Sequence, residues 1–563
     1  MNSKIDAKAA VQTAGSFLKR LFKQDGRVNG ATLLPIRLTL IYLAFSVLVY
    51  AFGPFDWPTS KPALFYSLLL LYMVALWLGY RIGIKKTFSV SIEWSTSSTD
   101  KFMPILSVLI VINYLIYVVN IFRDYGLQTF DFPELFRQMA IGIKDPGLGY
   151  HYRCLRIETL QGTDVIGGTV FTLVNYAWGF FCYPILLMGM LSFRKLNIWG
   201  KLFMVLYLIT MALFYLSIGT TIDVLHIFLL LELPAILSTF NVWYKRKLTG
   251  RHVVKLAASL LVGVLLVLGY FTWMMVSRGG INNYDQPGYN VGGVQLNENV
   301  VPQATQPTET TPTVTTPAET TPAETTPAET TPAETTPAET TPAETTPAET
   351  TPAETTPTET TPTETTPAVT TPAVTTPTET FPAVTPPKPA GFQIPPIIMK
   401  FWISFSSYFT QGYYGMAQAL NLPWTPMFGL GNSMFLVNFV SEHVYDIDQF
   451  TYQMKVEKAY GWDSDVQWSC MYTWLANDVS FYGVIIAMLL IGILFGAMFK
   501  DAITTENPFA KMSVFYFMLM MLFIPCNNQI AQRADTLLSF ILIVLGWLVS
   551  KYPPKFVKKF FAK

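Results

Sequence analysis

Apolar runs about as long as a bilayer is thick recur along most of this chain, separated by short polar turns. By length and apolarity they fall at about 33–52, 63–82, 103–122, 166–192, 202–217, 223–243, 256–276, 480–499, 511–526 and 535–551. One polar stretch, from Ser277 to Val479, interrupts them. The pattern predicts an all-α polytopic membrane bundle of about ten spans with one large outer loop, partly helical and partly disordered. The expected divisions are a cytoplasmic lead-in over 1–30, a membrane bundle over 31–276, a repeat-bearing outer loop over 277–391, an ordered aromatic-rich outer segment over 392–479, closing spans over 480–551 and a basic tail over 552–563.

Within the loop the pentapeptide Ala-Glu-Thr-Thr-Pro repeats, and Pro recurs every fifth residue. Apolar side chains are almost absent there, so nothing offsets the entropy of ordering the chain. The expectation is an extended, partly polyproline-like spacer. A solenoid is excluded, because this unit has no apolar positions to stack. Composition changes at Phe392. Pro395 to Leu420 reads as an aromatic helix lying at the outer interface or dipping in, and a turn-rich link follows from Pro423 to Asn432. The Tyr and Trp of this segment suit an aromatic belt at a membrane boundary or stacking on sugar rings.

Composition supports the membrane reading: 51% of residues are hydrophobic and 13% charged, against about a quarter charged in soluble chains. The net charge of +1 hides a basic protein, since the glutamates from Glu309 to Glu379 have no Lys or Arg among them. Lys and Arg then give orientation. Arg81, Lys85, Lys86 and Lys101, then Arg194, Lys195 and Lys201, then Lys245 to Lys255, then Lys500, Lys511 and Lys551 to Lys563 all fall on the side of the N-terminus. The positive-inside rule makes that side cytoplasmic, with both termini there and the long loop periplasmic or extracellular. The N-terminal residues lack a signal peptide's apolar core and cleavage site, and read as an amphipathic lead-in on anionic lipid. Cys154, Cys182, Cys470 and Cys526 lack metal-ligand spacing. Cys154 and Cys470 both fall outside, either as a disulfide or as separate thiols.

No GxxxxGK[ST], HExxH or GxSxG occurs, so nucleotide hydrolysis, zinc proteolysis and the serine hydrolase elbow lack their residues. Chemistry is expected without metal, cofactor or nucleic acid. The notable groups are cations at outer helix ends, against the usual bias: Arg278 where the long loop begins, Arg533 in the last outer turn, and Arg137, Arg153 and Arg156 in the first outer loop. A guanidinium grips phosphate oxygens with parallel donors, whether the phosphate belongs to a substrate or to a lipid. Asp478 is the acid best placed for proton transfer, or else an N-cap of the eighth span. Glu442, His443, Asp446 and Asp448 read as a solvated face. Asp223 and His226 share a face of the sixth span and Glu232 lies near its middle, where ionisable groups mark function or an internal pair; Asn175 and Arg37 are the candidate partners of Glu232.

The layout, with Tyr472-Thr473, Asp478, Phe481-Tyr482-Gly483 and the small-residue-rich Leu489 to Gly496, resembles the oligosaccharide repeat unit polymerases of the O-antigen polymerase family. Tyr408, Gly412, Tyr413-Tyr414 and the turn Phe428 to Asn432 are similar to that family's preceding outer segment, and Arg278 to an Arg at its loop start. Departures are Gly219 to Asp223, where the family has Gly-Ser-Arg, the stretched spacing from Asp478 to Gly483, and the pentapeptide insert. The resemblance implies a metal-independent integral membrane glycosyltransferase that joins undecaprenyl pyrophosphate-linked oligosaccharides outside the bacterial inner membrane, with a chain-length regulator as a further partner. It implies catalytic roles for Arg278 and Asp478, and substrate binding by Arg533, Arg137, Arg153, Arg156, Tyr413 and Tyr414. The alternatives are an O-antigen ligase, a transporter or flippase of lipid-linked oligosaccharide, and a surface protein whose repeat is the working part.

Overall fold

The computed structural model describes residues 30–85, 96–159, 166, 168–277, 290–291, 294–295, 396–464 and 467–553. They belong to one compact unit, 1–304 with 394–563; residues 305–393 make up another and fall outside the described residues, as does the rest of the 1–29 lead-in and Arg278. The described chain is helical apart from short turns and a minimal antiparallel ladder, β1 (Asn290–Val291) with β2 (Val294–Gln295).

The first part runs α1 (Gly30–Phe52), α2 (Pro62–Lys85), α3 (Thr96–Asp124), α4 (Phe132–Lys144), α5 (Pro146–Thr159), α6 (Gly168–Gly179), α7 (Cys182–Leu191), α8 (Ile198–Ser217), α9 (Thr221–Tyr244) and α10 (Gly250–Ser277). After the loop come α11 (Pro396–Ala419), α12 (Met434–His443), α13 (Tyr452–Tyr460), α14 (Met471–Thr504), α15 (Pro508–Phe523) and α16 (Ala534–Lys551). Among the described residues 8 helices are long and apolar enough to cross a membrane, or 9 if the bent pair α6–α7 counts as one span. The run expected at 166–192 is thus broken, with a 45° bend between Gly179 and Cys182. The run expected at 511–526 is the short α15, of 16 residues. Its side chains are buried nearly all round, among them Phe515, Tyr516, Phe517 and Leu519, so other helices surround it rather than lipid.

Two helices cross closely enough for backbone to meet backbone. Gly79 and Gly83 of α2 face Gly492 and Gly496 of α14. A Cβ at Gly79 would lie 2.0 Å from the Leu489 carbonyl oxygen, and one at Gly492 2.3 Å from that of Leu76. Both helices carry the Gly-x-x-x-Gly spacing, which puts the two small residues on one face and lets helices approach in an apolar solvent. At one end of this crossing α14 breaks. Ser480 has φ 61°, ψ 165°, a region essentially reserved for glycine. The break is held from both sides, with Tyr72 Oη of α2 donating to the Phe481 carbonyl at 2.6 Å and the Tyr72 and Tyr472 rings 4.6 Å apart.

The helices leave the bundle with two unlike ends. At the basic end, where the Lys and Arg of the short turns collect, the buried Lys551 ammonium lies 2.5 Å from Asp501 Oδ2, which also accepts from Trp547 Nε1 at 2.8 Å. At the loop end, α4, α5 and α11–α13 cover the bundle. α4 is capped by Asp131, whose side chain accepts from the Glu134 amide, and has Pro at its start. Leu135 and Met139 face inward while Phe132 and Phe136 stay exposed. α4 is therefore an amphipathic helix of the kind that lies along an interface. α11 crosses the ends of its neighbours, with the Phe401, Phe405 and Tyr408 rings packed around Phe271 of α10. Its buried Ser406, Ser407 and Thr410 return their hydroxyls to backbone carbonyls one turn back, which satisfies them without water.

Candidate functional site

At the loop end, the turn between α15 and α16 carries Arg533. Its guanidinium spans two carboxylates, with Nη1 3.3 Å from Asp223 Oδ1 at the start of α9 and Nη2 3.1 Å from Asp535 Oδ2. Asp535, first among the causes, holds the Arg533 pKa well above its ordinary value. Each acid is itself fixed. Thr220 Oγ1 donates to Asp223 at 2.9 Å, and the Thr536 amide to Asp535 at 2.8 Å. The Arg533 side chain remains 45% exposed, and it opens onto a cavity of about 340 Å³.

Asp124, Asn113, Asn120, Asn175, Trp178 and a group of tyrosines line that cavity. Asn120 Nδ2 donates to Asn175 Oδ1 at 2.9 Å, and Trp178 Nε1 to Asn113 Oδ1 at 2.8 Å, so α3 and α6 are joined by amides. The Tyr117 and Tyr207 rings stack at 4.7 Å. Tyr117 Oη is buried with no hydrogen-bond partner among the described residues. Beneath the cavity Tyr183 Oη lies 3.5 Å from Nδ1 of the fully buried His226, whose Nε2 also lacks a partner among the described residues. Hydroxyls, amides, carboxylates and flat rings around one guanidinium are the groups that hold a sugar next to a phosphate.

Asp478 stands elsewhere. The sequence places it as base or N-cap, and in the fold it stands two residues before the Ser480 break in α14. The Asp478 carboxylate points away from its own helix and accepts four hydrogen bonds. They come from the Gly429, Gly431 and Asn432 amides at 2.8, 2.9 and 2.9 Å, and from Asn432 Nδ2 at 2.8 Å. A carboxylate has about four lone-pair sites, so all are filled and none is left for an acceptor hydroxyl. Next to it Asn477 accepts from the Tyr452 amide at 2.8 Å and donates to the Gly431 carbonyl at 2.7 Å. The turn thus held is stitched onward, because Asn528 Nδ2 donates to the Asn432 carbonyl at 2.7 Å and Ser433 Oγ to the Ala531 carbonyl at 2.8 Å. Arg533 follows two residues later, and Phe435 of α12 closes one side of the cavity. Asp478 therefore positions the cavity wall through the Phe428–Asn432 turn.

The other expected site residues are dispersed. Arg278 lies outside the described residues. Arg137 is exposed and paired in a two-pronged contact with Glu134, 2.7 Å at each prong. That contact, Arg137 first among its causes, holds the Glu134 carboxyl down to about 2. Arg137 borders a separate cavity of about 360 Å³ with Tyr125, Gln138 and Ser217. Arg153 is half-buried on α5, and the side chain of Arg156 on the same helix lies outside the described residues. Tyr413 and Tyr414 are buried. Tyr413 Oη pairs with Ser46 Oγ at 3.0 Å, and Tyr414 packs 4.6 Å from Trp462 and 5.2 Å from Trp57. Both build the seat of α11 on α1 and meet no cavity around Arg533. Glu232 takes its hydrogen bond from Ser259 Oγ rather than from Asn175 or Arg37. Cys154 and Cys470 are free thiols, as are Cys182 and Cys526.

Sequence reasoning passed over Asp124, Asp535 and the amide wall. Asn113 and Asn120 were the available signal, two amides seven positions apart on one face of an otherwise apolar span. No protein-family model, no curated protein and no solved structure matches this chain.

Proposed function

We propose that the chain is a membrane glycosyltransferase that joins undecaprenyl diphosphate-linked oligosaccharide units, and that the Arg533 cavity is where transfer occurs. The observation that carries this reading is a half-exposed guanidinium, held by two carboxylates, at the mouth of a cavity walled by amides and tyrosines. The bacterial inner membrane, with the long loop on its outer face, is the corresponding setting, supported by the Lys and Arg distribution along the sequence.

The acids around Arg533 define the chemistry. Asp223, 10% exposed, is the inner counter-ion, and Asp535, 28% exposed, is the one an entering diphosphate reaches first. An entering diphosphate takes the Nη2 prong from Asp535, since phosphate oxygens match the guanidinium fork at least as well. The released Asp535 carboxylate is then the base. The acceptor hydroxyl attacks the anomeric carbon of the donor, its proton passes to Asp535, the bond from that carbon to the diphosphate oxygen breaks, and Arg533 stabilises the departing charge. Trp178 and the tyrosine rings offer faces for the acceptor sugar.

The purified chain in lipid, given an undecaprenyl diphosphate-linked repeat unit and no nucleotide, is expected to give a product ladder. Arg533→Ala should abolish the ladder, and Arg533→Lys should leave a small remnant because charge survives without the fork. An undiminished ladder from Arg533→Ala sinks the reading. A single unit joined to a lipid A core acceptor, without a ladder, would instead indicate the ligase.

A further inference from the structure

At the basic end, a second cavity of about 1000 Å³ opens between the end of α7, the far half of α9, the near half of α10 and the corner joining α14 to α15. Cations reach it from three walls: Arg194 and Lys195 after α7, Lys255 on α10, and Lys511 on α15. One carboxylate lines it, Glu506, which is paired with Lys511 at 2.5 Å. Lys195 is paired with Asp100 at 2.7 Å. Arg194 and Lys255 meet no carboxylate among the described residues. Away from the cations the walls turn apolar, with Met188, Leu191, Pro234, Leu237 and Leu256.

The α10 wall is one helix thick. Only 6% of its apolar window is buried, and Val254, Leu261, Val262, Leu265 and Leu266 are more than half exposed. α10 touches α9 where Gly263 meets the Phe228 ring. Nearer the basic end, His252, Lys255 and Leu256 line the cavity, with Ser259, which donates to Glu232 of α9, at its edge. An apolar pocket beside the bilayer, rimmed by unneutralised cations at the membrane–water boundary, fits an amphiphile whose head is anionic.

We infer that this cavity binds an anionic glycerophospholipid of the leaflet at the basic end. Its phosphodiester sits between Arg194 and Lys255, and an acyl chain fills the apolar part between α10 and α7. The lipid then serves as the neighbour that α10 lacks. This site is independent of the Arg533 cavity and of the activity proposed for it.

The test uses the full chain in neutral detergent, read by native mass spectrometry and by thermal unfolding with added phosphatidylglycerol, cardiolipin, phosphatidylcholine or inorganic phosphate. The expected result is one retained anionic lipid per chain and a saturable rise in Tm with phosphatidylglycerol or cardiolipin, absent with phosphatidylcholine. The double variant Arg194→Ala, Lys255→Ala should weaken that response at least tenfold. Ala235→Trp fills the cavity without altering charge and should also abolish retention, while Arg81→Ala, on α2, should not. Equal stabilisation by phosphatidylcholine, an undiminished response in both cavity variants, or a full response to inorganic phosphate alone would overturn the proposal. So would selective retention of a polyprenyl diphosphate lipid in place of the phospholipid.

Discussion

The α2–α14 crossing and the α9–α10 flank are built from equally apolar helices and end in opposite ways. The best window of α2 has a mean hydropathy of 1.8 and that of α10 has 2.3, yet 44% of the first and 6% of the second is buried. In lipid, apolar side chains gain nothing by leaving one hydrocarbon surroundings for another, so hydropathy sets insertion and small or polar residues set association. α2 and α14 supply paired glycines and a tyrosine hydroxyl, and they lock. α10 meets α9 through Gly263 against the Phe228 ring and through the Ser259–Glu232 bond, and nearer the basic end it leaves a cavity.

Substitutions at the crossing should therefore produce the largest effects. Gly79→Leu drives a side chain into the Leu489 carbonyl, which no rotamer avoids, and is expected to cost about 3 kcal/mol or more, seen as loss of the folded protein in thermal unfolding. Gly263→Ala on the flank meets only the Phe228 ring, which can turn, and should cost about 1 kcal/mol or less in the same assay. Equal losses at the two positions would erase the contrast.

Asp478→Ala comes next. It leaves three loop amides without their acceptor, at about 2–3 kcal/mol, and the product ladder of the proposed transfer should fall along with order in the Phe428–Asn432 turn, read by hydrogen exchange. Asp478→Asn keeps the shape and should fall between. A base would instead lose activity in both variants with the turn undisturbed.

The smallest effect belongs to the exposed pair on α4. Arg137→Ala should leave Tm unchanged and let the Glu134 carboxyl rise toward the ordinary carboxylate range, short of it by what the Gln138 Nε2 bond at 2.8 Å still contributes, measurable by NMR titration. Because the folded pKa is depressed, to about 2, whatever the pair contributes is present at neutral pH and is lost only as pH falls from the ordinary carboxylate range through about 2.

The helical bundle was legible because span length and apolarity are local properties of the chain. Breaks were not. Gly179 and Pro184 flank the bend between α6 and α7, but the unbroken apolarity of the run reads straight through them, and Ser480 is held in its strained conformation from outside its own helix, by Tyr72 of α2 among others. Arg533 was visible as a cation on the unfavoured side, but its counter-ion Asp223 is 310 positions away, and no spacing rule connects them. Asp478 was visible as an acid near a helix start, just before the Ser480 break. That its carboxylate turns to the Gly429, Gly431 and Asn432 amides was not visible, because those partners lie 46 to 49 positions away. Tyr413 and Tyr414 look like a binding pair in the sequence, yet an aromatic pair serves a core equally well.

The seating of α11 on α10 bears on how this chain can vary over generations. Ser277 Oγ, at the end of α10, bonds Asp145 and receives the Gly147 amide, while Phe271 one and a half turns earlier grips α11 through Phe401 and Tyr408. The strands of chain that leave for the insert and return from it are thus both moored to α10, whatever length lies between. Tandem copies of a fifteen-nucleotide unit are prone to slip during replication, and here gaining or losing a copy moves neither mooring. Repeat number is a coordinate along which the gene can drift while the residues of the two moorings stay under selection.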